Sequence, residues 1–327
     1  MMHQKIVHHF VPEGVPEFIP KPSWLSITPP TSSQFQFLQG LISRLKLVTV
    51  CQEAHCPNMS ECWSKGTATF MILGDSCTRG CRFRNVTTRS RGKPVDPQEP
   101  AKLIEAVGIM NLDYIVITSV DRDDLHDQGA GHFAACITAL KTAYPHLLVE
   151  VLLPDFRGDL SALQHIINAR PNVISHNIET VDRLQSTVRD RRANYRQSLA
   201  VLDHVKKINT SITTKSSLML GLGETQEEVC AAMDDLRSIG VDIITFGQYL
   251  RPSFKHLPVH EYVHPDQFER YKEIALSKGF MCCASGPFVR SSYRAGELFM
   301  RNQAGKSLTH CQNNGAAPQH GGQLECH

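Results

Sequence analysis

Apolar and polar positions change their spacing repeatedly along this chain. From about residue 67, short runs of strand-forming character alternate with stretches whose apolar residues recur every three or four positions. Such switching between periods marks strands followed by amphipathic helices. The predicted strands are 67–73, 114–119, 147–153, 173–179, 213–220 and 243–249. The predicted helices are 97–109, 129–143, 160–169, 196–207, 225–239 and 265–279. One helix carries its own start signal. Thr225 can cap it, Glu228 completes a capping box, and Val229, Ala232, Met233 and Leu236 form the apolar stripe. Strand–helix repetition implies an α/β fold, a parallel sheet with helices outside it. Six units are too few for a closed eight-stranded barrel.

Outside this region the pattern changes. Residues 1–40 hold Pro12, Pro16, Pro20, Pro22, Pro29 and Pro30, which predicts an extended arm with a short helix near 33–45. Residues 303–327 are poor in apolar side chains and predict a disordered tail. The expected organisation is an N-terminal extension over 1–66, a main domain over 67–284, a C-terminal segment over 285–302 and the tail over 303–327.

Composition narrows the class. Hydrophobic residues are 41% and charged residues 20% of 327, enough for an ordinary core. A net charge of +2 gives no argument for nucleic acid or an anionic membrane as partner. No long uncharged apolar run suits a membrane span, and Met1 to Phe10 is neither a secretory signal nor an Arg/Ser-rich presequence. A reducing cytoplasm is the expected location, since the 11 cysteines are odd in number and clustered.

The clustering carries the chemistry. Cys51, Cys56 and Cys62 form a C-x4-C-x5-C run; Cys77, Cys81 and Arg84 form C-x3-C-x2-R. Clustered thiolates suit an iron–sulfur cluster or zinc. Structural zinc needs four ligands at closer spacing, so a zinc site, or buried thiols with no metal, is the blander alternative. Cys136, Cys230, Cys282 and Cys283 fall in helix or strand patterns and read as buried small apolar residues.

The second group resembles the C-x3-C-x2-C loop of radical S-adenosylmethionine (SAM) enzymes. The first, with Cys56-Pro-Asn-Met-Ser-Glu-Cys62-Trp63, is similar to lipoyl synthases. Further matching stretches are Thr118–Leu125, Pro154–Asp159, His176–Thr180, Met219–Thr225, Gly247–Pro252 and Ser285–Tyr293. The resemblance spans about 20–300 and implies an open (βα)6 partial barrel of the TIM type, with its active site at the C-terminal strand ends.

The resemblance further implies sulfur insertion at C6 and C8 of a protein-bound octanoyl group. Those carbons are unactivated, so no side-chain base suffices and a radical is needed. Two 4Fe-4S clusters are implied. Cys77 and Cys81 would hold the SAM cluster. Cys51, Cys56 and Cys62, with Ser292 on the fourth iron, would hold an auxiliary cluster that donates sulfur. Ser291 competes for that ligand role, Arg290 would stabilise the terminal segment, and His55 reads as a neighbour of the auxiliary cluster. Phe83 and Asn85 are expected beside SAM, with Thr118, Ser119, Asn177 and Glu179 as partners for its polar groups or as strand-end structure. Implied partners are octanoylated lipoyl carrier domains (2-oxoacid dehydrogenase E2 subunits and the glycine cleavage H protein), a flavodoxin- or ferredoxin-type reductant and iron–sulfur carrier proteins.

Arg84 departs from that pattern. It stands where the third cysteine of the loop is expected, and a guanidinium has no lone pair for iron. The sequence therefore supports two functions: a lipoyl synthase, or an impaired homologue that keeps one cluster and binds lipoyl carrier domains.

Overall fold

The structure, a computed structural model, describes residues 19–26, 33–53, 58–59 and 69–292. Cys56, Cys62, His55 and the tail over 303–327 lie outside these residues. The strands in chain order are β1 Val48–Thr49, β2 Thr69–Ile72, β3 Ser76–Cys77, β4 Thr87–Thr88, β5 Tyr114–Ser119, β6 Leu148–Leu152, β7 Val173–Ser175, β8 Thr213–Leu220, β9 Ile243–Gln248 and β10 Cys282–Gly286. The main sheet runs β1-β2-β5-β6-β7-β8-β9-β10. All its pairings are parallel except β1 with β2. The order is linear, which fits an open α/β partial barrel.

Six of the parallel strands are those expected from sequence. The seventh, β10, was not. Its Cys-Cys-Ala-Ser-Gly sequence is small and lacks β-branched residues, so nothing local marks it as a strand. Pairing decides it: Cys282 to Gly286 lie in register beside Ile243 to Gly247. On the other side, Val48 and Thr49 add a short antiparallel edge from the N-terminal extension.

Helices follow most strands and cover one face. Gln226–Ser238 starts as its sequence dictates: Thr225 Oγ1 accepts from Glu228 N–H, and the Glu228 carboxylate accepts from Thr225 N–H. Leu160–Asn168 is capped by Asp159, and Tyr195–Ile208 by Asn194. Ser33–Leu45 forms as expected.

Alternation along each strand separates two chemistries. Ile115, Ile117, Val149, Val151 and Ile174 pack outward with Leu103, Phe133 and Leu163 of the helices. Leu218, Leu220, Ile244 and Phe246 do the same in a second cluster with Met233 and Phe268. Cys136 and Cys283 are buried within these clusters, as expected, while Cys230 and Cys282 are half-buried. The opposite face is polar. There Glu150 accepts from Lys215 Nζ at 2.8 Å, Ser175 Oγ at 2.9 Å and Tyr114 Oη at 2.6 Å. Thr245 Oγ1 bonds Ser217 Oγ at 2.8 Å. Burial of charge on this face is tolerated because each group is paired.

Candidate active site at the C-terminal strand ends

The loops after β2, β5, β6 and β7 converge on a pocket that is open to solvent. Its position is the one expected for barrels. Thr118 and Ser119 end β5, Leu152 ends β6 and Leu153 to Asp155 follow it, and His176, Asn177 and Glu179 follow β7. Cys81 and Arg84 enter from the loop between β3 and β4, two short parallel strands that pin its ends.

That loop is held on several sides. Gly80 N–H donates to Asp190 Oδ2 at 2.8 Å, and Asp190 N–H donates to Cys81 Sγ at 3.3 Å. Arg82 N–H bonds the Val188 carbonyl at 3.0 Å, and Leu257 N–H bonds the Arg82 carbonyl at 3.2 Å. His256 Nε2 donates to the Arg84 carbonyl at 3.0 Å. Phe83 is buried with Val188, Tyr249, Leu257 and Val259, so its side chain anchors the loop in an apolar cluster and is not among the pocket-lining groups. Asn85 is half-buried and also outside the lining set.

Beneath the pocket lies an ionic network that sequence reading missed. Arg79, with 2% of its side chain exposed, places Nη1 2.7 Å from Asp155 Oδ1 and 3.4 Å from Asp121 Oδ1. Its Nε and Nη2 grip Asp123 at 2.9 and 2.8 Å. Burial opposes its charge, but hydrogen bonding to Asp123 and the charges of Asp121 and Asp155 outweigh that and raise its pKa. Asp155 is lowered: Arg79 overcomes the effect of burial. The signal available in sequence was only the acidic and basic residues inside the matching stretches. Their convergence depends on the barrel.

A second chain of bonds fixes His176. A carbonyl can only accept, so Nδ1 carries the proton and donates to the Leu153 carbonyl at 2.9 Å. Nε2 then accepts from Ser198 Oγ at 2.9 Å, and Ser198 Oγ accepts from Arg189 Nη1 at 2.7 Å. Burial, then the nearby Arg189 charge, lower the His176 pKa to about 4, so the ring is neutral.

Arg84 occupies the mouth of this site. Nη2 lies 3.2 Å from Asp121 Oδ2 and 3.6 Å from Cys81 Sγ, with the guanidinium 5.2 Å from the Phe83 ring centroid. Burial works against its charge, but Cys81, Asp121, Cys77 and Glu179 together hold its pKa well above the usual value. Cys77 is buried, and its thiol is pushed up to about 11 by burial, against the opposing effect of Arg84. Cys77 Sγ donates to Asp121 Oδ2 at 3.4 Å. Thus one carboxylate, Asp121, serves Cys77, Arg79 and Arg84 together.

The lining bears on two groups differently. Ser119 Oγ, Asn177 Oδ1 and Asp155 Oδ2 are buried and have no hydrogen-bond partner among the described residues. Such orphaned atoms cost energy unless a ligand satisfies them. They fit a polar ligand such as the amino-acid and ribose parts of SAM. A 4Fe-4S cluster is less well served. Of the loop's two thiols only Cys81 lines the pocket, Cys77 is buried against Met71 and Val120, the third position holds a cation, and no group of three metal-binding side chains forms among the described residues. The residues of this loop do not supply a three-thiolate seat. Thr118 Oγ1 donates to the Leu152 carbonyl at 2.9 Å, and Glu179 accepts from Asn177 Nδ2 at 3.4 Å. Glu179 takes a left-handed φ of 66° and burial raises its pKa.

The terminal segment meets the first cysteine stretch. Asn58, between Cys56 and Cys62, donates from Nδ2 to the Phe288 carbonyl, four residues before Ser292. Cys51 is buried on the four-residue helix Val50–Glu53. Ser291 and Ser292 are half-buried in a turn, and Arg290 Nη1 bonds the Val289 carbonyl at 2.7 Å. Gln248 N–H donates to the Pro287 carbonyl at 3.3 Å, so the segment crosses the C-terminal end of β9.

Comparison with known proteins assigns the class first. The sequence model described as the Radical SAM superfamily matches residues 71–236. Among solved structures, the FeFe-hydrogenase maturase HydG is similar in fold at 13% identity and a TM-score of 0.50, over 63% of this chain and 47% of that one. The chain is 56% identical to the lipoyl synthase of Anaeromyxobacter sp. (strain Fw109-5), over 86% of this chain and 96% of that protein. It is 54% identical to the lipoyl synthase of Halobacterium salinarum, over 90% of this chain and 96% of that one. The chain belongs to the lipoyl synthase family, sulfurtransferases that insert two sulfur atoms at C6 and C8 of a protein-bound octanoyl group. Iron–sulfur and SAM binding come with that family, and the substrate is an octanoylated carrier protein.

Proposed function

We propose that this chain binds SAM in the pocket at the strand ends and that Arg84 impairs radical initiation there. Ser119, Asn177, Glu179 and Thr118 surround the ligand, and Asp155 supplies a further acceptor. Cys77 and Cys81 are the two remaining SAM-cluster ligands. Cys51, Cys56, Cys62 and Ser292, near Arg290, would hold an auxiliary 4Fe-4S cluster, which would supply the sulfur. Oxygen is harder than sulfur, which makes Ser292 the ligand that releases most readily. The bond from Asn58 to Phe288 supports this grouping, because it joins the first cysteine stretch to the serine segment. The carriers are E2 subunits of 2-oxoacid dehydrogenases and the glycine cleavage H protein. A flavodoxin- or ferredoxin-type protein supplies electrons, iron–sulfur carriers rebuild the auxiliary cluster, and the cytoplasm is the setting. No helix among the described residues is long and apolar enough to cross a membrane.

The single observation that carries this reading is the guanidinium of Arg84 bonded to Cys81 and Asp121 beside three orphaned acceptors. The test is 5′-deoxyadenosine release after anaerobic reconstitution and reduction with dithionite in the presence of SAM. The unchanged chain should release little. Arg84→Cys should restore release and add roughly four irons per chain. Equal release from both proteins would overturn the assignment of Arg84.

A further inference from the structure

Arg84 brings a permanent positive charge into a pocket that the carboxylate of Glu179 also lines. Its side chain is 35% exposed, and only Nη2 is engaged among the described residues. Nε and Nη1 remain as donors on a planar fork that matches a carboxylate. Glu179, the orphaned Asn177 Oδ1 and Ser119 Oγ line the same pocket. Leu152, Leu153 and Pro154 provide an apolar wall. A cation, a carboxylate and unpartnered acceptors lining one pocket are complementary to an α-amino-acid zwitterion.

We propose that, with no iron bound, this pocket holds the amino-acid end of an S-adenosyl compound by charge, Arg84 taking the carboxylate and Glu179 with Asn177 Oδ1 the ammonium. The ligand class rests on the SAM reading above; the anchoring is specific to arginine at position 84. A metal ligand and a guanidinium make different demands. A cysteine here needs iron before it can contribute to ligand capture, whereas Arg84 needs none. The substitution therefore exchanges a metal-dependent site for a metal-independent one while leaving the remaining wall of the pocket in place.

Isothermal titration calorimetry on the full-length, chelator-treated protein tests this with two probes. S-adenosylhomocysteine has the zwitterion; 5′-methylthioadenosine has the same nucleoside without it. The first should bind roughly ten- to hundredfold more tightly, the range of a charge-assisted pair. Arg84→Ala should remove that advantage, and a cooperative urea-unfolding transition of the variant shows that it is folded. Equal binding of the two probes, or an Arg84→Ala protein that retains the preference, would overturn the proposal. Reconstituted Arg84→Cys protein separates the levels. If it binds SAM while the iron-free parent binds no S-adenosylhomocysteine, iron-free anchoring is wrong and the SAM pocket stands. If neither protein binds its probe, the pocket assignment itself fails.

Discussion

Arg84 Nη2 lies 3.2 Å from Asp121 Oδ2, and the same carboxylate oxygen accepts from Cys77 Sγ at 3.4 Å. The ion pair ties the cysteine loop to the end of β5. Asp121 Oδ1 also faces Arg79, so two cations share it. The loop is thus cross-linked by charge at the position where a third thiolate is expected in the family.

Arg79 should matter far more to folding than its neighbours on the rim. Its removal takes from buried Asp155 its 2.7 Å counter-charge, leaving Arg189 at 3.9 Å, and leaves Asp121 and Asp123 with Arg84 and Arg192 alone. Arg79→Met should cost about 3–5 kcal/mol. Arg192, with 38% of its side chain exposed, pairs with Asp190 and Asp123, and Arg192→Met should cost about 1 kcal/mol or less. Urea unfolding of both variants gives the comparison; similar midpoints would contradict the ranking.

The Lys215–Glu150 pair predicts a strong non-additivity. Lys215→Met alone leaves Glu150 without its counter-charge and should destabilise by about 3–5 kcal/mol. The double change Lys215→Met with Glu150→Leu should cost less than the sum of its singles, by roughly 0.5–3 kcal/mol. A double-mutant cycle in urea measures this coupling. Strict additivity would mean that the pair is energetically silent.

Gly247 is required by the passage of the terminal segment. A Cβ there would collide with the Val289 carbonyl oxygen. Backbone cannot yield as a flexible side chain can, so Gly247→Ala should displace residues 287–292. The cost should be about 1–3 kcal/mol. Hydrogen exchange should rise at Val289, whose N–H bonds the Gly286 carbonyl, while β5 and β6 stay protected. Unchanged exchange at Val289 would contradict this.

His176 gives a pH dependence with a definite sign. Its pKa falls from 6.5 unfolded to about 4 folded, through burial and then Arg189. The folded state therefore binds fewer protons between these values. The stabilisation is complete above pH 6.5 and is lost as pH falls toward 4, on the order of 3 kcal/mol for this one group. His176→Gln should flatten the parent's loss of stability across that window in urea titrations. Identical slopes for both proteins would remove His176 as the cause.

Local signals made much of this molecule legible. Thr225 and Glu228 encode their helix start in side chains that act within one turn, and the structure forms that box. Thr118, Ser119, Asn177 and Glu179 were accessible as candidates because strand ends can be read from pattern, and these four do meet in one pocket. Arg84 was visible as a chemical misfit, since donor atoms belong to residue type alone.

What tertiary structure decided is which distant groups meet. Phe83 borders the cysteine loop in sequence but turns into a cluster with Tyr249 and Leu257. Asp155 and Arg79 are 76 positions apart, counting from 79 to 155, and their 2.7 Å contact needs the curved sheet. Strand β10 has no strand-like sequence of its own and takes its conformation from the free edge of β9. Sequence alone determined six of the seven parallel strands, the helices that follow them and the donor chemistry of each side chain, because propensity, capping and donor atoms act within a few residues. The site's charge balance was decided only by the fold, because electrostatic energy depends on separation and burial, which chain order does not set.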